Sequence, residues 1–164
     1  MSLLLFQRYQ PKDFLLYYKL VREKEVMKYI TEKGLSKDEA RKNFSRTLKL
    51  NEEHTQLGYY KIYKNQEFIG NCKLVNYRKD NSIFEIGYVL HQEFWGKGLG
   101  TQVCEYMLKL ADEIHSEKDI IGIINPKNIV SKKLLEKFGF KTFFLGVEND
   151  METEKLILRK NDSQ

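Results

Sequence analysis

Residues 83–100 read IFEIGYVLHQEFWGKGLG. The first eight are rich in β-branched and aromatic residues and hold no proline, the composition of a strand. After Gly100, Val103, Met107, Leu110 and Ile114 recur at helical spacing and give one apolar face. Between strand and helix lies Trp95-Gly96-Lys97-Gly98-Leu99-Gly100. A glycine-rich turn in that position gathers backbone N–H groups around one point. The helix N-terminus adds roughly half a positive charge there. The combination suits a pyrophosphate and needs no charged side chain. The loop reads G-x-G-x-G, so it is neither the G-x-G-x-x-G dinucleotide fingerprint nor a P-loop. Glycines also simply make turns; the ordered context on both sides is what gives this loop weight.

Downstream, DIIGII (119–124) is nearly continuous in apolar residues, as expected of a strand covered on both faces. Asn125-Pro126 turns the chain, and residues 128–138 read as a helix stopped by Gly139. KTFFLGV and EKLILRK then make a closing hairpin around VENDMET (147–153). Upstream, LLLFQRY is an opening strand, and Pro11 with Asp13 starts a helix. Gly34 punctuates it. Ser36 and Glu39 form a capping box that opens a second helix through about Leu50. GYYKIYK, Asn65-Gln66 and EFIGNCKLV read as a hairpin, and the polar turn RKDNS leads back to residue 83. The order predicts a mixed α+β sheet with helices on both faces.

The chain has 164 residues, which predicts a single domain over 1–164. Hydrophobic residues at 41% support a core, and two prolines leave no proline-rich linker. No apolar run approaches a membrane span. The opening MSLLLF is too short, and lacks the basic flank, for a secretory signal. Cys72 and Cys104 form no C-x-x-C, so two buried, reduced thiols and a cytoplasmic location are expected. His54, His91 and His115 show no metal-ligand spacing, and no metal is assigned. The net charge is +5. Its lysines and arginines are spread along the chain, so an anionic coenzyme explains it better than nucleic acid does.

With these motifs in their order, the chain resembles the GNAT superfamily of acetyl-CoA-dependent N-acetyltransferases. The family's Q/R-x-x-G-x-G/A signature is matched by residues 95–100, with Trp95 in place of Gln or Arg. Trp95 and the later N-x-x-S-x-x-L-L-E-K-x-G-F, carried by Asn128, Ser131, Glu136, Lys137, Gly139 and Phe140, are similar to the branch that acetylates ribosomal-protein N-termini. The segment Ser36-Lys37-Asp38-Glu39-Ala40 is similar to that branch as well. The resemblance implies a mostly antiparallel twisted sheet and acetyl-CoA as cosubstrate. It also implies direct attack by an amine in a ternary complex.

Acetyl transfer to an amine requires deprotonating the amine, stabilising an oxyanion and releasing a thiolate. Glu85 is the candidate base, by its place on the strand and by resemblance. Strand alternation puts it opposite Phe84 and Ile86. Its alternative role is a solvent-facing carboxylate or the partner of a lysine. Ser131 is the candidate for assisting the sulfur, because Leu135 fills the place where many family members carry a tyrosine; otherwise it is an ordinary first-turn serine. Asn128 would bind the pantetheine arm, cap its helix, or both. Family resemblance also implies that backbone N–H near Val89 and Leu90 meets the oxyanion. Coenzyme binding is assigned to Trp95, Gly96, Lys97, Gly98, Leu99, Gly100 and Thr101, besides Val89, Leu90 and Asn128. Trp95 would shield the pocket or simply pack, and Lys97 would screen phosphates or stay solvated. Glu148, Asp150, Glu152 and Glu154 cluster in the last hairpin, either as a solvated turn or as a border for a cationic acceptor.

The expected acceptor is a protein N-terminal α-amine. A polyamine or an aminoglycoside is the alternative, and a catalytically silent coenzyme-binding module is a second one.

Overall fold

In the computed structural model, residues 3–161 are described. Met1 and Ser2 of the opening MSLLLF, and residues 162–164 of the expected domain, lie outside the described residues. Strands β1 (Leu4–Arg8), β2 (Gly58–Lys64), β3 (Glu67–Tyr77), β4 (Asp80–Leu90), β5 (Asp119–Ile124), β6 (Lys141–Glu148) and β7 (Met151–Leu158) form one sheet. Their order is β1-β2-β3-β4-β5-β7-β6. Every neighbouring pair is antiparallel except β4 and β5. A parallel pair needs a long crossover, and helix α4 (Leu99–His115) supplies it.

The helices lie on two faces, and strand alternation sorts the side chains between them. Phe84 and Ile86 of β4 enter one core with Val103 and Met107 of α4 and Leu135 of α5 (Ile129–Lys137). The opposite face carries α1 (Phe14–Val21), α2 (Lys24–Met27) and α3 (Lys37–Glu53), whose core is built on Tyr9, Tyr17, Leu20 and Phe44. Val89 packs on this second cluster. The expected architecture is therefore present.

Local chemistry sets the ends. The Ser36 hydroxyl accepts the Glu39 N–H, and the Glu39 carboxylate accepts the Ser36 N–H, which closes the capping box of α3. Asn65 and Gln66 both take positive φ, as a two-residue hairpin turn demands. α5 ends where the N–H of Phe140 reaches back to the Leu135 carbonyl and Gly139 adopts φ 94°.

Two expectations change. The first helix is broken in two after Val21. There the Leu35 N–H binds the Val21 carbonyl, and Gly34 lies so close to the Arg22 carbonyl that a Cβ would sit 1.9 Å from its oxygen. The close approach of another segment, rather than Gly34 alone, ends the helix. The last hairpin is also longer than expected. Its turn is only Asn149-Asp150, and most of VENDMET is strand, because lysines neutralise the glutamates that make it read as loop.

Candidate active site

The parallel pairing of β4 and β5 runs from Ile83↔Asp119 to Ile86↔Gly122 and then stops. Beyond it, Ile123 and Ile124 pair only with β7, while residues 87–90 pair only with β3. The sheet thus forks, and the β5-facing backbone edge of Val89 and Leu90 is free of strand pairing. Leu135 packs on Gly122 at the base of the fork, where a glycine Cβ would meet its Cδ1 at 2.7 Å.

The glycine loop leads from the end of β4 into α4. Gly96 and Gly98 have φ 72° and 76°, and a Cβ on either would meet nothing within 4 Å. Left-handed backbone with open space above it is a cradle for an anion at the start of a 17-residue helix. The loop is tied down by Trp95, whose indole N–H donates to the Leu90 carbonyl at 2.9 Å. The ring is still 45% exposed, so Trp95 acts here first as a staple. Lys97 is exposed, with its ammonium over the Phe94 ring. Leu99 is buried in the core, which leaves only its backbone for a ligand. Thr101 lies in the first turn of α4.

Gly100 is needed for a different reason: a Cβ there would come within 2.7 Å of the Tyr88 hydroxyl. That hydroxyl also hydrogen-bonds the Ser131 side chain. Burial pushes the Tyr88 phenol above its ordinary pKa, and the Ser131 hydrogen bond partly opposes the shift. Asn128 caps α5, its Oδ1 accepting the Ser131 N–H at 3.2 Å. Tyr88, Ser131 and Asn128 therefore gather on the α4–α5 face of the fork.

Glu85 lies on the other face. Its carboxylate pairs with Lys73 of β3 at 2.8 Å, the lysine stem lying across Gly87. The lysine-partner role is thus observed. Burial disfavours the Lys73 ammonium, but the Tyr59 phenol and the Glu85 carboxylate outweigh it and raise its pKa. Glu85 and Lys73 line a cavity of about 400 Å³ with Tyr29, Tyr77, Arg78 and Glu148, among others. The two candidate catalytic side chains are consequently separated by the sheet, with the fork between them.

The acidic cluster is divided. Glu148 faces the cavity and accepts from Lys155 at 2.6 Å and Lys79 at 3.0 Å. Glu154 is buried on the far side, held by the Thr142 hydroxyl at 2.6 Å and Lys132 at 3.1 Å. Asp150 sits in the turn, and Glu152 lies 3.8 Å from Lys127. Cys72 and Cys104 are free and buried, and burial raises both thiol pKa values, that of Cys104 to about 12. Among the described residues no group of three or more His, Cys, Asp or Glu is placed to hold a metal, and no helix is long and apolar enough to cross a membrane.

Lys73, Tyr88 and the Tyr77–Lys79 wall were not singled out from sequence. Tyr88 stands inside the quoted stretch, and a phenol two residues before the end of the strand that leads into the glycine loop is a usable signal. Lys73 is recognisable only once the β3–β4 register is known.

Comparison with known proteins agrees with this fold. A family model described as an acetyltransferase (GNAT) domain matches residues 4–141. An uncharacterised N-acetyltransferase of Bacillus subtilis, YnaD, is 24% identical over 139 residues, covering 84% of this chain and 79% of the relative. The ribosomal-protein α-N-acetyltransferase RimL, solved with coenzyme A, superposes with a TM-score of 0.79 at 16% identity, over 95% of this chain and 93% of that one. A spermidine N-acetyltransferase from Vibrio cholerae, solved with coenzyme A and spermine, gives 0.78 at 17% identity over 96% of each chain.

Proposed function

The chain belongs to the GNAT family of acetyl-CoA-dependent acetyltransferases, and we propose that its acceptor is a protein N-terminal α-amine, as in the branch it resembles. The carrying observation is the fork, with a carboxylate on one face, a hydroxyl pair on the other and a glycine cradle at its mouth. An α-amine has an unperturbed pKa near 8, against about 10.4 for a side-chain amine. It therefore asks less of a base, which suits a site whose one carboxylate on the β4 wall is already paired to Lys73.

Acetyl-CoA supplies an activated acyl carbon. The backbone N–H groups of residues 96–101 receive its pyrophosphate, and the edge of Val89 and Leu90 that β5 does not cover holds the pantetheine arm and, through its N–H, meets the oxygen that gains charge, the Leu90 carbonyl being held by Trp95. Asn128 steadies that arm while it caps α5. The amine enters from the Glu85 face. Glu85 takes a proton from it, directly or through one water, as the C–N bond forms and the C–S bond breaks. The Ser131 hydroxyl, backed by Tyr88, hydrogen-bonds the sulfur as it takes on negative charge.

The test is an acetyl-CoA turnover screen over N-terminal peptides, polyamines and aminoglycosides, read as thiol release. Peptides are expected to be turned over with the highest kcat/KM. A polyamine or an aminoglycoside preferred over every peptide would overturn the α-amine reading. Coenzyme binding with no turnover of any amine would overturn catalysis itself.

A further inference from the structure

The cavity beside Glu85 has walls of both charges, yet its carboxylates are already occupied. Glu85 is paired to Lys73, and Glu148 is shared by Lys79 and Lys155, both on Oε2. Glu152 has Lys127 at 3.8 Å at the rim. Arg78 lines the cavity, is exposed, and makes no ion pair among the described residues. The lining holds three cations, Lys73, Arg78 and Lys79, against three carboxylates, and Lys155 and Lys127 pair with two of those carboxylates from outside it. A polycation entering here would compete with a lysine at each of these carboxylates. An anion would meet a guanidinium with free donors, which bind carboxylates in bidentate fashion.

We infer that this cavity selects acceptors carrying a negative charge close to the reacting amine, namely N-termini with an acidic side chain at the second to fourth residue. The inference rests on the α-amine reading above. Its distance scale comes from the register. Val75 is opposite Glu85, β3 ends at Tyr77 and Arg78 opens the turn that follows, so the backbone separation is at most about 10 Å at about 3.3 Å per residue. An extended peptide whose amine sits at Glu85 covers that span in about three residues.

The experiment compares three peptides that differ only at residues two to four: glutamates, glutamines or lysines. Acetylation by the full chain is measured at low and high salt. The glutamate peptide is expected to show a KM about three- to tenfold below the glutamine peptide, with lysine the weakest. Salt should narrow the gap. Arg78→Glu, an exposed change, should reverse the order of the glutamate and lysine peptides. Equal KM values for the three peptides, a gap indifferent to salt, or an unmoved order in R78E would overturn the inference. If no peptide is acetylated, the α-amine reading falls separately. The charge preference is then read from small amines, and a faster rate with spermidine than with an ω-amino acid would overturn it.

Discussion

The Lys73 ammonium lies 2.8 Å from the Glu85 carboxylate, across Gly87, on the wall where an amine would arrive. The contact fixes the carboxylate's orientation and places a cation beside a proton acceptor. Loss of either partner strands the other in a partly buried place.

Glu85→Gln should therefore lower kcat most at neutral pH and recover as pH approaches the amine's own pKa, because free amine then no longer needs a base. The double variant K73Q/E85Q removes the stranded ammonium. A pH–rate profile that drops uniformly in E85Q and returns in the double variant would identify a structural pair instead.

Gly98→Asp should abolish measurable acetyl-CoA binding in calorimetry while the protein stays folded. The position has φ 76° and open space above it, so the new side chain projects into the cradle and brings a negative charge to the phosphate position. Unchanged affinity would move the pyrophosphate elsewhere.

Ser131→Ala should reduce kcat about three- to tenfold, the value of one neutral hydrogen bond, and leave acetyl-CoA affinity unaltered. Asn128→Ala should instead raise KM for acetyl-CoA and cost about 1 kcal/mol of stability through the lost cap. Steady-state kinetics with thermal unfolding separates the two. Wild-type kcat in S131A would leave the Tyr88–Ser131 pair a packing contact only.

Much of this site is legible in the sequence because the relevant chemistry is local. Alternation alone puts Glu85 opposite Phe84 and Ile86, Asn128 announces itself as a cap, and the glycines mark the left-handed turns. Lys73 and the fork are not local. They follow from which β3 residue stands opposite Gly87 and from where β5 parts from β4, both fixed by packing of whole helices. The last hairpin misleads for the opposite reason. Its glutamates look solvated until Lys79 and Lys132 arrive from distant segments and Lys155 folds across the same hairpin, and the one broken helix likewise depends on Gly34 meeting Arg22.

Acid stability should carry the signature of Glu154. Burial alone would raise its pKa, but the Thr142 hydroxyl and the Lys132 ammonium outweigh burial and hold it below the ordinary 4.5. Near that pH the unfolded chain binds more protons than the native one. The contribution is therefore present above about pH 4.5 and is lost as pH falls through the lower native value. Thermal unfolding across this range should show a shallower acid loss in Glu154→Gln than in the wild type. Parallel curves would exclude Glu154 as a contributor.

The four residue pairs that join β4 to β5 connect positions 36 apart, Ile83 to Asp119 among them. Closing so long a loop is costly before any pairing rewards it. The three-stranded β2–β3–β4 meander and the β6–β7 hairpin rest on short connections and can form early. The seam where we place the acetyl transfer then zips after them, as does the β1–β2 pairing, whose partners stand 52 to 60 positions apart. Refolding should be paced by these long-range pairings, and destabilising the β4–β5 seam should slow the appearance of activity more than the appearance of secondary structure.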